Sequence, residues 1–297
     1  MIESSGLSGS TVALITPFRA DGEIDESALR RLIDWQIEEG SDVLLVAGTT
    51  GESATLTSEE HTRILSIALE QVGGRIPVLC GTGSNSTART VAATKQAEAL
   101  GADGVLVVCP YYNKPTQAGL REHFRTVAES TSLPLILYNV PGRTASNLAA
   151  ETTLALAEID NVVGIKEASG NYSQIMAIIQ GKPKGFLVLS GDDADGLALI
   201  ALGADGVISV VANETPGLFA EMVRAARSGD LVRARELHYR LLPLMEVNFI
   251  ESNPGPVKAA LAMMGKIEEM CRLPLVPIGP TNRQKVRQVL QQLELIP

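Results

Sequence analysis

The sequence predicts an α/β fold, a (β/α)8 TIM barrel with a C-terminal helical appendage, and two observations carry this prediction. Eight short runs rich in Val, Ile and Leu recur along the 297 residues, each followed by a segment of helical character. This order is typical of parallel strands joined by crossover helices. Residues 99–108 and 201–210 read ALGADGVLVV and ALGADGVISV. A near repeat that leads into the fourth and the eighth strand favours a barrel of two similar halves over an open doubly wound sheet.

The predicted strands account for one closed barrel. In chain order they cover residues 11–16, 42–47, 77–80, 104–109, 134–138, 162–166, 186–189 and 206–211. Eight strands close a TIM barrel, and about 250 residues is its usual length. Between strands, Thr57 and Glu60 predict a capping box ahead of a helix over 61–72. The eighth crossover helix is predicted over 216–227 and ends at Gly229.

Beyond the eighth crossover helix the pattern is helical only. Helices are predicted over residues 231–249, 256–264 and 282–295, separated by Pro and Gly. We therefore predict a catalytic barrel over residues 1–229 and a helical extension over 230–297, with packing or assembly as the extension's default role.

Composition argues against two classes of partner. With 25 basic and 34 acidic residues the net charge is −9, so no general attraction to nucleic acid or an anionic membrane is expected. No stretch approaches the ~18 apolar residues of a membrane span, and the N-terminus has no basic region of a signal peptide. Cys80, Cys109 and Cys271 lack C-x-x-C spacing and are interpreted as buried small side chains in a reducing cytoplasm.

Lys166 is the first candidate for chemistry, because active sites of α/β barrels lie at the carboxyl ends of the strands. It directly follows the predicted strand residues Val162, Val163, Gly164 and Ile165. A lysine that points into this apolar barrel mouth loses solvation, which lowers its pKa and makes the amine a nucleophile toward a ketone. A solvated lysine is the commoner alternative for a lone Lys. The neighbouring polar residues favour the nucleophile.

Three hydroxyl groups follow other strand ends. Tyr138 closes the fifth predicted strand, Tyr112 follows the fourth and Thr49 follows the second. Imine formation requires proton transfers that a relay of hydroxyls can supply. Each tyrosine alone is more often a core or interface residue.

Two further features suit carboxylate groups. The segment GTTGES at 48–53 is a Gly-bounded turn with two hydroxyls and backbone N–H groups, and it lacks the Lys of a phosphate loop. Arg143 is suited to a bidentate clamp on a second carboxylate, with a surface arginine as the equal alternative.

A metal site is not expected. The acidic run GDDADG at 191–196 does not fit the spacing of an EF-hand and is interpreted as helix capping. His61, His123 and His238 fall on predicted helices without ligand partners, so a metal-dependent aldolase is disfavoured.

Four motifs in this order give the chain its resemblance to a known family. They are GTTGES at 48–53, Tyr111-Tyr112, YNVPGRT at 138–144 and IKEA at 165–168. With them the sequence resembles the dihydrodipicolinate synthases, a family of pyruvate-dependent Schiff-base aldolases, over essentially the whole chain. The Gly-Arg-Thr segment is not expected in sialic acid lyases of the same superfamily.

The resemblance implies a reaction. Pyruvate forms an imine with Lys166, becomes an enamine and attacks the aldehyde of L-aspartate 4-semialdehyde, in lysine and diaminopimelate biosynthesis and without a cofactor. The resemblance implies a proton relay of Thr49, Tyr138 and Tyr112, and substrate contacts from Thr50, Arg143, Gly191 and Ile208.

The resemblance also implies assembly and regulation. Tyr112 would reach into the neighbouring subunit's site in a homotetramer of two tight dimers. Lysine-inhibited members place a His and a Glu where this chain has Ser58 and Arg89, and a cationic Arg89 repels the α-ammonium of lysine. Weak or absent feedback inhibition is expected, although the other residues of the regulatory pocket are retained: Ser53, Ala54, His61, Asn85 and Tyr111.

Two alternatives stay open. A pyruvate lyase that cleaves sialic acid or a 2-keto-3-deoxy sugar acid uses the same imine chemistry. A barrel that has lost catalysis and binds a small ligand as a sensor belongs to a different class.

Overall fold

The computed structural model describes residues 4–297 and confirms the predicted barrel. The strands are β1 (Gly9–Ala13), β2 (Val43–Val46), β3 (Val78–Gly81), β4 (Gly104–Val108), β5 (Leu135–Asn139), β6 (Val162–Glu167), β7 (Leu187–Ser190) and β8 (Gly206–Ser209). Each strand pairs in parallel with the next one in sequence, and β8 pairs with β1 to close the barrel. The first strand begins and ends earlier than predicted. Its end was predicted too late because the apolar run continues past the last paired residue. There the N–H of Ile15 donates to the Asn213 side chain, at 3.0 Å.

Helices surround the barrel and extend beyond it. They are α1 (Glu26–Glu39), α2 (Ser58–Val72), α3 (Thr87–Leu100), α4 (Gln117–Ala128), α5 (Pro141–Thr144), α6 (Ala150–Leu156), α7 (Tyr172–Gly181), α8 (Asp193–Ala201), α9 (Pro216–Ser228), α10 (Leu231–Val247), α11 (Gly255–Met263) and α12 (Pro280–Gln292). The predicted capping box is present: Glu60 N donates to Thr57 Oγ1 at 3.2 Å, and Thr57 N donates to the Glu60 carboxylate at 2.9 Å.

The near repeat marks a recurring hydrogen bond at the amino ends of the strands. Asp103 and Asp205, which precede β4 and β8, each accept the N–H of a residue in the preceding strand, Val78 and Val188, both at 2.8 Å. Asp42, ahead of β2, accepts Ser10 N in the same way, at 2.8 Å. Each aspartate therefore connects an odd-numbered strand to the even-numbered strand that follows it. This shared role explains the repeated ADG sequence.

The core has two layers, one inside the barrel and one between the barrel and its helices. In β5, Ile136 and Tyr138 belong to the inner layer, while Leu135 and Leu137 pack toward the helices, as the period of two in a strand requires. The β5–β6 pairing has a bulge at Val163, after which Tyr138 lies in register with Lys166. This irregularity sets both side chains on the inner face.

The C-terminal helices share the outer core layer. α10 packs on α8 and α9, and α12 packs on α10 and α11. Leu241, Val257 and Leu290 belong to the same buried cluster as the barrel helices. The division at residue 229 stays a prediction. Within residues 4–297, no helix has the length and apolarity needed to cross a membrane.

Candidate active site

Lys166 lies buried at the carboxyl end of β6, and its side chain is 6% exposed. Its Nζ lies 4.4 Å from the centroid of the Tyr138 ring. Burial lowers the pKa of Lys166 to about 8; Asp193 and Asp192 oppose this shift, and Arg143 adds to it. With such a pKa roughly one amine in ten is neutral at pH 7, against roughly three in ten thousand for an unperturbed lysine. The environment therefore favours the neutral amine that the predicted nucleophile requires.

The lowered pKa of Lys166 predicts how reaction with pyruvate depends on pH. Raising the pH removes the proton from Nζ, so we expect the rate of imine formation to rise with pH through a midpoint near 8 and then level off. Initial rates of cyanoborohydride-dependent labelling with pyruvate, measured across a pH series, test this. A rate that does not rise between about pH 6.5 and 8.5 would contradict the assignment.

Tyr138 is buried beside the lysine with the predicted Thr49 hydroxyl as a neighbour. Burial raises the pKa of the Tyr138 phenol, while the charge of Arg143 and a side-chain hydrogen bond with Thr49 lower it. Because the net effect is upward, the phenol stays protonated near neutral pH and can pass a proton to a substrate oxygen. The structure thus brings three predicted groups together: the amine, the phenol and one hydroxyl.

The GTTGES segment forms a compact turn at the end of β2. Gly51 N donates to Gly48 O and Glu52 N to Thr49 O, each at 3.1 Å. The buried Thr50 hydroxyl accepts a hydrogen bond from Asn253 Nδ2 at 3.0 Å. Asn253 was not predicted, because nothing near it in sequence connects it with residue 50.

Gly191 lies directly against Lys166. A Cβ atom at this position would lie 2.9 Å from Lys166 Cε and 3.1 Å from Cγ. Glycine therefore leaves room for the lysine side chain, and the assignment of Gly191 to a pyruvate pocket stays a prediction. Ile208, on β8, belongs to the buried inner layer of the barrel.

The acidic run after β7 has two different structural roles. Asp192 caps α8 by accepting Ala194 N at 2.9 Å, as predicted. Asp193 does not cap, and this corrects the prediction for that residue: its carboxylate accepts Val210 N and Val211 N, at 3.0 and 2.9 Å. These bonds end β8 before residue 210. Burial raises the pKa of Asp193 to about 6.

Glu167, adjacent to the lysine, was missed by the sequence analysis. Its buried carboxylate accepts the Asn139 amide at 3.2 Å, Ser169 N at 2.8 Å and the Gln174 amide at 3.1 Å. These bonds hold the Glu167 side chain, at the end of β6, on the outer side of the barrel. Alternation along the strand then turns Lys166 inward.

Arg143 and Tyr112 differ in their positions. Arg143 is exposed on α5 and lines an open cleft of about 1340 Å³ together with Thr49 and Val140. Tyr112 is 89% exposed, with a left-handed backbone (φ 73°), and it is not among the described residues that line this cleft. Lys166 is not among those lining residues either, but the charge of Arg143 acts on the Lys166 amine.

The residues that the resemblance assigns to a regulatory pocket lie mostly in the same cleft. Ser53, Ala54, His61 and Tyr111 line it. Asn85 is not among its lining residues in the described chain; its carbonyl accepts Asn113 Nδ2 at 2.9 Å.

Ser58 and Arg89 line the cleft as well, and they predict its response to lysine. We expect L-lysine to inhibit weakly or not at all, because the cationic Arg89 repels the ligand's α-ammonium. Initial rates against lysine concentration test this, and strong inhibition at micromolar lysine would contradict it. The variant Ser58→His with Arg89→Glu is the matched control and is expected to be more sensitive than the unmodified chain.

The remaining titratable candidates are structural. Burial lowers the pKa of His123 to about 4, and its Nδ1 lies 2.9 Å from Thr87 Oγ1. Cys80 and Cys109 are buried, and burial raises their pKa to about 12. Among residues 4–297 no group of three or more His, Cys, Asp or Glu side chains is arranged to hold a metal ion.

The chain is similar in sequence and structure to known proteins over almost its whole length. The Dihydrodipicolinate synthetase family profile matches residues 6–293. The 4-hydroxy-tetrahydrodipicolinate synthase of Syntrophus aciditrophicus is 52% identical over 288 residues, which cover 97% of this chain and 99% of that one. The crystal structure of dihydrodipicolinate synthase from Aquifex aeolicus superposes with a TM-score of 0.95 at 49% identity, covering 97% of this chain and 98% of that chain. A monomeric dihydrodipicolinate synthase variant superposes with a TM-score of 0.96 at 45% identity, covering 99% of each chain.

Proposed function

We propose, since the chain belongs to the dihydrodipicolinate synthetase family, that Lys166 Nζ forms an imine with pyruvate and so carries the reaction. That reaction is the condensation of pyruvate with L-aspartate 4-semialdehyde to 4-hydroxy-tetrahydrodipicolinate, a lyase reaction of diaminopimelate and lysine biosynthesis. The observation that carries the proposal is the buried Lys166 amine with its lowered pKa, packed against Tyr138.

The proposed reaction begins with imine formation. Neutral Nζ attacks C2 of pyruvate, the Tyr138 phenol donates a proton to the carbinolamine oxygen, and one water leaves. The iminium then loses a proton from its methyl carbon to the Tyr138 phenolate and becomes an enamine. Thr49, beside Tyr138, takes part in this proton relay. The iminium is the electron sink, so the chemistry requires neither a metal nor an organic cofactor.

The second substrate completes the cycle. The enamine carbon attacks the aldehyde carbon of the semialdehyde, and the new alkoxide takes a proton from the relay. The substrate's own amine then attacks C2, expels Lys166 and closes the ring, so one water is released per turnover. In this scheme Thr50, Gly191 and Ile208 hold pyruvate, and Arg143 binds the semialdehyde carboxylate.

Arg143→Ala tests the carboxylate clamp. We expect the KM for the semialdehyde to rise about 10- to 100-fold, the worth of a charge-assisted hydrogen bond, while labelling by pyruvate is retained. Steady-state kinetics in each substrate measure this. Arg89→Ala, in the same cleft, is the matched control; an equal rise in both variants would contradict the assignment.

Assays with both classes of substrate test the proposed function itself. We expect turnover of pyruvate with the semialdehyde, and no cleavage of sialic acid or of a 2-keto-3-deoxy sugar acid. The exposed Arg143 suits a second small carboxylate better than a polyhydroxyl chain. Robust sugar-acid cleavage without semialdehyde turnover would favour the lyase, and absence of both activities would favour a non-catalytic sensor.

The proposal extends to the oligomeric state of the protein and to its location in the cell. We expect a homotetramer of two dimers in which Tyr112 enters the cleft of the neighbouring subunit and joins its relay. The almost fully exposed side chain of Tyr112, which follows β4, supports this. The similarity to a monomeric variant makes sedimentation the necessary check. A biosynthetic role and three unpaired cysteines support a cytoplasmic location.

A further inference from the structure

We infer that the C-terminal helices position the pyruvate-binding turn, with Lys258 as the positioning residue. Lys258 lies on α11 and forms an ion pair with Glu52, the fifth residue of the GTTGES turn, and both side chains are fully buried. The inference rests on the proposed function, which assigns Thr49 and Thr50 of this turn to the relay and to pyruvate. It gives the extension a role in substrate binding in addition to packing.

Glu52 is held in a conformation that its own sequence does not favour. Its backbone is left-handed (φ 55°), a region that residues with a Cβ seldom occupy. Both carboxylate oxygens are engaged by the C-terminal segment: Oε1 by Lys258 Nζ and Oε2 by Arg272 N, the latter at 3.0 Å. The end of the turn is therefore tied to residues more than two hundred positions away.

Solvent does not reach Lys258, so water cannot replace its partners in the protein. The residue is 0% exposed, and Nζ also donates to Met270 O at 2.8 Å and lies 4.2 Å from the centroid of the Phe18 ring. A buried charge that loses its partner is strongly unfavourable, so the ion pair permits one relative position of α11 and the turn. Phe18, which follows β1, brings a third part of the barrel into the same contact.

A second contact orients the substrate-binding hydroxyl. Asn253, just ahead of α11, donates its Nδ2 proton to Thr50 Oγ1 at 3.0 Å. A hydroxyl has a single proton to donate. Because Asn253 occupies an acceptor position on Thr50 Oγ1, the Thr50 proton is free to point to another acceptor, which in the proposed function is the pyruvate carboxylate. Lys258 and Asn253 thus hold two residues of one short turn, Glu52 and Thr50.

The experiment compares Lys258→Met with two other variants of the full-length chain. The pair variant Glu52→Gln with Lys258→Met removes both buried charges, so no unpaired charge is left to oppose folding. Leu290→Ala is the matched control, because it removes a buried side chain of the same helical extension, on α12, which packs on α10 and α11. Circular dichroism establishes folding, and steady-state kinetics give KM for each substrate and kcat.

We expect KM for pyruvate to rise about 10- to 100-fold in both Lys258 variants, since small displacements of a positioning group have effects of this size. KM for the semialdehyde and kcat at saturating pyruvate are expected to change far less, and Leu290→Ala is expected to keep the pyruvate KM. A folded pair variant with an unchanged pyruvate KM, or an equal rise in Leu290→Ala, would overturn the inference. A pair variant that does not fold would assign Lys258 to folding and overturn it as well. If the unmodified chain forms no pyruvate adduct, the proposed function fails instead.

Discussion

Replacement of Lys166 by Arg is expected to lower kcat/KM by at least about 10⁴-fold. Arginine keeps a long cationic side chain but stays protonated in proteins, so it cannot attack a carbonyl. The variant therefore separates loss of the nucleophile from loss of charge or volume. Steady-state assay with both substrates measures the effect.

The control for this change is the same substitution elsewhere. Lys182 pairs at 2.5 Å with Asp205, which directly precedes the amino end of β8, and Lys182→Arg is expected to stay close to the unmodified rate. A Lys166→Arg protein with full turnover would remove the lysine from the mechanism.

Tyr138→Phe is expected to lower kcat by about 10²- to 10⁴-fold, the usual worth of a positioned general acid–base group. The change removes one hydroxyl and keeps the ring that packs beside Lys166 Nζ. Pyruvate labelling at long incubation is expected to persist, because the amine is unchanged. Stopped-flow measurement of imine formation and steady-state turnover distinguish the two effects.

Tyr172→Phe provides the matched removal of a hydroxyl. Tyr172 begins α7, and its hydroxyl donates to Asp195 at 2.8 Å. Its loss is expected to leave turnover nearly unchanged. If both variants lose the same activity, the Tyr138 phenol has no special part in proton transfer.

Features set by local pattern were predictable from the sequence. The eight strands follow from runs of branched apolar residues, and Lys166 follows from its place at the carboxyl end of one of them. The capping box at Thr57 is likewise local. The end of β8 was not predictable, because Asp193 binds two of the N–H groups that would have continued the strand.

The supports of the site were missed for the same reason. Glu52 and Lys258 are 206 positions apart, and no periodicity connects them. The bulge at Val163, which aligns Lys166 with Tyr138, appears only when β5 and β6 are paired. Polar residues whose partners lie in distant elements need the folded chain before their roles can be assigned.

The central claim is that the buried amine of Lys166 forms a covalent bond with pyruvate. Borohydride reduction in the presence of pyruvate, followed by peptide mapping with mass spectrometry, tests it most directly. The account predicts one pyruvate-derived adduct on the peptide that contains Lys166, and none when pyruvate is omitted. An unmodified Lys166, or an adduct confined to other lysines, would contradict it.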